Sequence, residues 1–442
     1  MTEKINRKKI ILGYSIVINI FILFLFLFLL PNSFHINDNM DYINEYNPIA
    51  LNIVNGESYN HVEPSVCLEN CEDVKLAHLR RPPLFPLFIA LSYKLEALTN
   101  INQYNLLIYL QYLLHLLSSI LIFIIYLRWM KKINIAFFAS VIYSSYPLGL
   151  YLLKQPNSEV IFNFLLCFFI FVFSVIIKEK KYLSGYYLLL PGAFLGLLIL
   201  TRSLSIFFPI IIFIYIFLCF RRQAININLK LLIGMFIILI PWQIYSSSLS
   251  DNISQNDKQE IVESRNFSTT VFVYGLFWEQ MPERPQSQSA QFMSDDLLQF
   301  MKDTYQKSSD GLLKSKREIF DYMVSQTIKS PLVIIELGVW KSLRTFFGTD
   351  SKRFELEVFL INFIYFSLLF FMFIKRKSFF SGVENKQFST LFSMIFIYFL
   401  LISATVIPLA RYSLSGFLII VPLISILISN FEISKKCLPL IK

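Results

Sequence analysis

About ten runs of roughly 20 mostly apolar residues recur along this 442-residue chain, separated by short polar connections, and each is long enough to cross a bilayer as a helix. Hydrocarbon offers the backbone no hydrogen-bond partners, so a spanning chain must be helical or form a closed barrel. The two-residue alternation of a barrel strand is absent. With 55% hydrophobic and only 16% charged residues, and with 46 Phe, the chain cannot cover itself with a polar surface. It reads as an all-α integral membrane protein, a polytopic helical bundle of about ten spans.

The formal charge of +10 does not point to nucleic acid, because the basic residues sit in short clusters at the ends of apolar runs rather than on one face of a domain. Arg7/Lys8/Lys9, Arg128/Lys131/Lys132, Lys178/Lys180/Lys181, Arg221/Arg222, Lys375/Arg376/Lys377 and Lys435/Lys436 fall on one side when the runs alternate in direction. By the positive-inside rule that side is the cytoplasm, and both termini lie there. The first run, 10–30, is too long for a secretory h-region and lacks a small-x-small cleavage site, so it is an uncleaved anchor. Of the five cysteines only Cys67 and Cys71 face outward; a bridge between them depends on local geometry that so short a loop leaves open.

The organisation follows. Residues 1–31 are a cytoplasmic tail and the first span, and 32–103 a first outer loop with interfacial helices. Within that loop 84–98 is apolar but only about 15 residues long, which favours an interfacial or half-buried helix over a full crossing and leaves the span count open by one. Six spans occupy 104–245: 105–127, 134–153, 159–177, 183–201, 204–220 and 229–245. Residues 246–353 form a small extracytoplasmic domain, whose run 332–347 is a helix resting on the membrane surface. Three spans in 354–430 and a tail, 431–442, complete the chain.

Polar residues near membrane depth are costly and mark sites or pathways, and here they concentrate on the outer side. The first loop opens with Asn37-Asp38-Asn39-Met40-Asp41-Tyr42, runs through Tyr46 and Ala50 to Gly56, and returns as Arg80-Arg81-Pro82-Pro83-Leu84-Phe85-Pro86. Later come Tyr146-Pro147 with Ser158-Glu159, Gly196-Leu197 leading to Thr201-Arg202, Pro241-Trp242, and Arg411-Tyr412. In this order the pieces resemble the GT-C glycosyltransferases, in the branch of the protein mannosyltransferases and lipid A aminoarabinose transferases. Asp41 stands one residue further from Ala50 than that pattern has it, and Pro48 is expected to interrupt the helix between them. The resemblance implies an inverting transfer of a sugar from a polyprenyl-phosphate donor to a protein, lipid or polysaccharide acceptor. It implies a site on the periplasmic face of a bacterial inner membrane, in contact with membrane lipids and without an obligatory cofactor.

The residues suit that chemistry independently. A lipid-phosphate donor needs cations at headgroup depth, and Arg81, Arg202 and Arg411 offer guanidinium forks there. The attacking hydroxyl needs a carboxylate base, for which Asp41 is the first candidate, with Asp38 and Glu45 in reserve. Tyr42 and Tyr46 are candidate supports, and Glu159 a candidate for binding the acceptor or a divalent cation. Each has a plainer alternative: Asp41 as a helix cap, the arginines as interfacial anchors, Glu159 as a span end in water. His35, His61 and His78 share a loop with the two cysteines, but their spacing matches no zinc pattern. His115, alone in a span, is expected to make an internal hydrogen bond, and Tyr274, Trp278 and Trp340 are candidates for stacking on sugar.

Two rival functions share the broad plan. An O-antigen polymerase or ligase lacks the early acidic loop followed by Pro-Pro. A flippase of lipid-linked sugar must expose polar groups to both sides, whereas these spans carry few mid-depth charges.

Overall fold

The computed structural model of the chain describes residues 2–29, 41–61, 81–179, 185–251, 292–310, 312–313, 316–348, 355–374, 383–405 and 410–430. Asp38, His35, His78, Cys67, Cys71, Tyr274, Trp278 and several of the basic clusters lie outside them. The described residues are helical, with no strand among them, and fall into two compact units. The first comprises 1–249, 365–395 and 417–442; the second, 250–364 and 396–416.

In the first unit α1 (Thr2–Leu29) is followed by a π-helical turn (Tyr42–Tyr46), α2 (Asn47–Asn55), α3 (Leu84–Thr99) and α4 (Gln103–Met130). Then come α5 (Ile133–Ser145), the short α6 (Pro147–Tyr151), α7 (Ser158–Lys178), α8 (Leu189–Thr201), α9 (Phe208–Phe220) and α10 (Ala224–Asp251). Apolar packing alone gives little preference between helix and lipid, so small polar side chains join the spans instead. Ser15 on α1 meets Ser140 on α5 at 2.6 Å, while Asn19 donates to Ser119 on α4 and accepts from Ser144 on α5. His115 makes its expected internal hydrogen bond, to the carbonyl of Ser144, and stacks on Tyr143. Between α8 and α10 the backbones nearly touch: a Cβ at Gly192 would lie 2.3 Å from the carbonyl oxygen of Leu231, and one at Gly234 2.2 Å from that of Leu189.

Seven helical runs among the described residues are long and apolar enough to cross a membrane, or eight with the bent pair α5–α6. One of the seven, 203–249, is 47 residues long, more than twice what a bilayer requires. It folds back on itself. Asn228 donates to the carbonyl of Phe213 at 3.5 Å, whereas 15 residues of continuous helix would separate them by about 22 Å. The run is therefore the two spans read from the sequence, joined at Arg221–Gln223. The tenth apolar run contains α8, a shorter apolar helix. α3 has 16 residues, about 24 Å of helix, and packs Phe85, Ile89 and Ala90 against Tyr46 and Ala50.

In the second unit α11 (Asp295–Ser309), α12 (Lys316–Lys329) and α13 (Pro331–Arg344) enclose a small core of Leu297, Phe300, Met301, Leu313, Ile319 and Leu337. Trp340 is partly buried against that core. The opposite face of α13 exposes Leu332, Ile335, Val339 and Leu343. Its C-terminal end is tied to the starts of two spans, α14 (Glu355–Ile374) and α16 (Ala410–Ile420), by an Arg344–Glu355 ion pair at 2.9 Å and a hydrogen bond from Ala410 to Gly348. α15 (Val383–Thr405) and α17 (Ile424–Asn430) complete the helices.

Candidate active site

The site begins at Asp41. This residue has helical dihedrals and makes no side-chain cap hydrogen bond, so the capping alternative is not realised. The helix does not break at Pro48, contrary to the expectation. Its first five residues form a π-turn, and Pro48 falls directly beyond, in the opening turn of α2. A π-turn takes up one residue more than an α-turn. Pro48 thereby sits where a missing N–H costs least.

Arg81 is the hub. Its Nε and Nη2 donate to the two carboxylate oxygens of Glu45 at 2.6 and 2.8 Å, Nη2 also donates to Asp41 at 2.9 Å, and Nη1 donates to the hydroxyl of Tyr46 at 3.3 Å. Four of the five guanidinium N–H groups are thus engaged. Burial opposes the charge, but Tyr46, Glu45 and Asp41 outweigh it and raise the pKa of Arg81 well above its ordinary value. The two carboxylates are unlike: the side chain of Glu45 is 10% exposed and that of Asp41 47%.

A second ion pair lies close by. Glu159, in the first turn of α7, meets Arg202 at 3.2 Å, with side chains only 6% and 11% exposed. Gln111 on α4 sets this turn: its amide donates to the carbonyl of Gln155 and accepts from the backbone N–H of Asn157. Arg202 follows α8 directly in an extended conformation. Tyr46 links the pairs. Burial raises the pKa of its hydroxyl, and Arg81, Asp41, Arg202 and Glu159 all act on it electrostatically. The structure therefore gathers Asp41, Glu45, Tyr46, Arg81, Glu159 and Arg202 around one phenol. Three carboxylates face two guanidinium groups, a formal charge of −1.

Tyr42 turns away from this cluster, donating to Gln103 at 3.2 Å and packing against α3 and α4, so it supports the turn. Arg411 belongs to the second unit, where its guanidinium lies 5.0 Å from the centre of the Tyr412 ring. Sequence reasoning missed Tyr59. Its hydroxyl donates to the carbonyl of Arg81 at 2.9 Å, its N–H to the hydroxyl of Tyr245, and its ring packs edge-on to Trp242. Asn52 holds the segment against α2 by donating to the carbonyls of Tyr59 and His61, after Gly56, at φ +74°, has ended the helix. The only hint in the sequence is Pro241-Trp242 at a span end. Among the described residues no group of three His, Cys, Asp or Glu is disposed to hold a metal ion.

Residues 80–245 match the family model described as dolichyl-phosphate-mannose-protein mannosyltransferase. The matched segment carries Arg81, Glu159, Arg202, Trp242 and Tyr245, and supports a membrane glycosyltransferase of GT-C type. No curated protein and no solved structure matches the chain.

Proposed function

We propose that the protein transfers a sugar from a polyprenyl-phosphate-linked donor to an acceptor hydroxyl on the outer face of the membrane, with inversion and with Asp41 as general base. The observation that carries this is a half-exposed carboxylate held by an arginine beside a second, buried carboxylate–arginine pair, all about Tyr46. In the step, the acceptor oxygen forms a bond to the anomeric carbon and its proton passes to Asp41. The bond from that carbon to the phosphate oxygen breaks, and polyprenyl phosphate leaves with the bonding pair. Inversion follows from a single displacement. Asp41 is exposed enough to be reached by an acceptor; Glu45 is not.

Arg202 and the remaining N–H of Arg81 are the cations this cluster offers for the developing phosphate charge. Arg81 spends most of its donors on carboxylates, so its main task is to position Asp41. Glu159 orients Arg202. The acceptor is a hydroxyl of a protein, lipid or polysaccharide.

The test is to incubate purified protein in micelles with labelled polyprenyl-phosphate mannose, glucose, galactose and arabinose, and to follow release of the label or its transfer to an envelope extract. Wild-type protein is expected to cleave at least one donor. Asp41→Asn is expected to lower turnover by about 10²-fold or more at unchanged monodispersity. Full turnover by Asp41→Asn would remove it as the base. Movement of the donor between leaflets of sealed vesicles without bond cleavage would instead make the protein a transporter.

A further inference from the structure

We propose that Glu45 is a positioning residue that keeps Asp41 basic by competing for Arg81. The inference rests on Asp41 being the base. Its geometric ground is the unequal sharing of one guanidinium. Glu45 takes two N–H groups through both oxygens, at 2.6 and 2.8 Å, whereas Asp41 takes one at 2.9 Å. The two-point bond is the stronger arrangement, so Arg81 belongs chiefly to Glu45.

This arrangement reconciles two requirements that otherwise conflict. A base must be held in place, and a cation is a firm hold, but a cation directly opposite a carboxylate also stabilises its ionised form and makes it a poorer proton acceptor. Glu45 neutralises that cation from the other side. Both carboxylates touch the same Nη2 atom, so their oxygens lie within about 5.7 Å of each other, the sum of the two bond lengths. At that range the anion of Glu45 disfavours the ionised form of Asp41. Asp41 is thus oriented by Arg81 without being neutralised by it. The other groups facing this trio are Tyr46 on the same turn, Glu159 from α7, Arg202 after α8, and Tyr59 through the Arg81 carbonyl. Glu159 and Arg202 pair with each other, so Arg81 faces two carboxylates, Glu45 and Asp41.

The experiment is the pH dependence of kcat on whichever donor in the panel above the wild-type protein cleaves, with the acidic limb reporting protonation of the base. In Glu45→Gln, Arg81 faces Asp41 uncompensated, and the limb is expected to move to lower pH by about one unit or more, with a several-fold lower plateau. Glu45→Asp retains the charge and is expected to bring the limb back towards wild type. Arg81→Gln removes the cation and leaves Asp41 beside Glu45, so the limb is expected to move the opposite way, to higher pH. Opposed displacements separate this role from a structural one, which would lower the plateau and leave the limb in place. An unmoved limb in either monodisperse variant overturns the inference, even if Asp41→Asn is inactive. Full activity of Asp41→Asn would instead overturn the assignment of the base.

Discussion

Glu159 and Arg202 illustrate what a buried charge demands of its neighbours. Each is nearly sealed from water, and each satisfies the other at 3.2 Å. Removing one partner of a buried ion pair typically costs roughly 3–5 kcal/mol. Glu159→Gln is therefore expected to lower the thermal midpoint in detergent, and Glu159→Gln combined with Arg202→Gln to regain part of the loss. A single variant as stable as wild type would mean that water or another group already compensates Arg202. Both residues were legible in the sequence because a charge at the end of an apolar run is conspicuous. Glu45 was legible only as a substitute for Asp41, since its role depends on a guanidinium 36 positions away that no local spacing reveals. Tyr59 was not legible at all: a tyrosine in a polar loop has no periodicity to betray its partners.

At the scale of elements, the crossing of α8 and α10 is set by what is missing. Gly192 and Gly234 each place a bare Cα against the other helix's backbone carbonyl, so neither neighbour can yield by changing a rotamer. Gly234→Ala is expected to force the helices apart and to cost about 1–3 kcal/mol, read as a lower thermal midpoint. Gly13→Ala, on α1 where an added Cβ meets nothing within 4 Å, is the control and is expected to be neutral. Equal stability of the two variants would contradict the close crossing. Hydropathy located these helices well, because the need to satisfy backbone groups in lipid leaves one solution. It could not foresee the π-turn, beyond which the helix runs on through Pro48.

For the whole molecule, α7 supplies a ruler. Glu159 and Lys178 stand at its two ends, about 28 Å apart at helical rise, close to the thickness of bilayer hydrocarbon. The carboxylate–arginine cluster lies at the first end; at the other Lys178 donates to the carbonyl of Arg128, and Arg128 pairs with Glu179. With the site proposed to face outward, the charge bias predicts Lys132 on the cytoplasmic side and Asp295 outside. In a background with the five native cysteines replaced by serine or alanine, single cysteines introduced at Lys132 and Asp295 are expected to react with an impermeant maleimide only after permeabilisation and from the outside, respectively. The reverse pattern would move the site to the cytoplasmic face. The hydrogen bonds that Tyr59 makes to Arg81 and Tyr245 bear on engineering the protein. The first loop is not a cassette. A chimera that imports residues 41–81 from another transferase inherits Asp41 and Arg81 but not the end of α10 that sets their register, and must import Trp242 and Tyr245 with them.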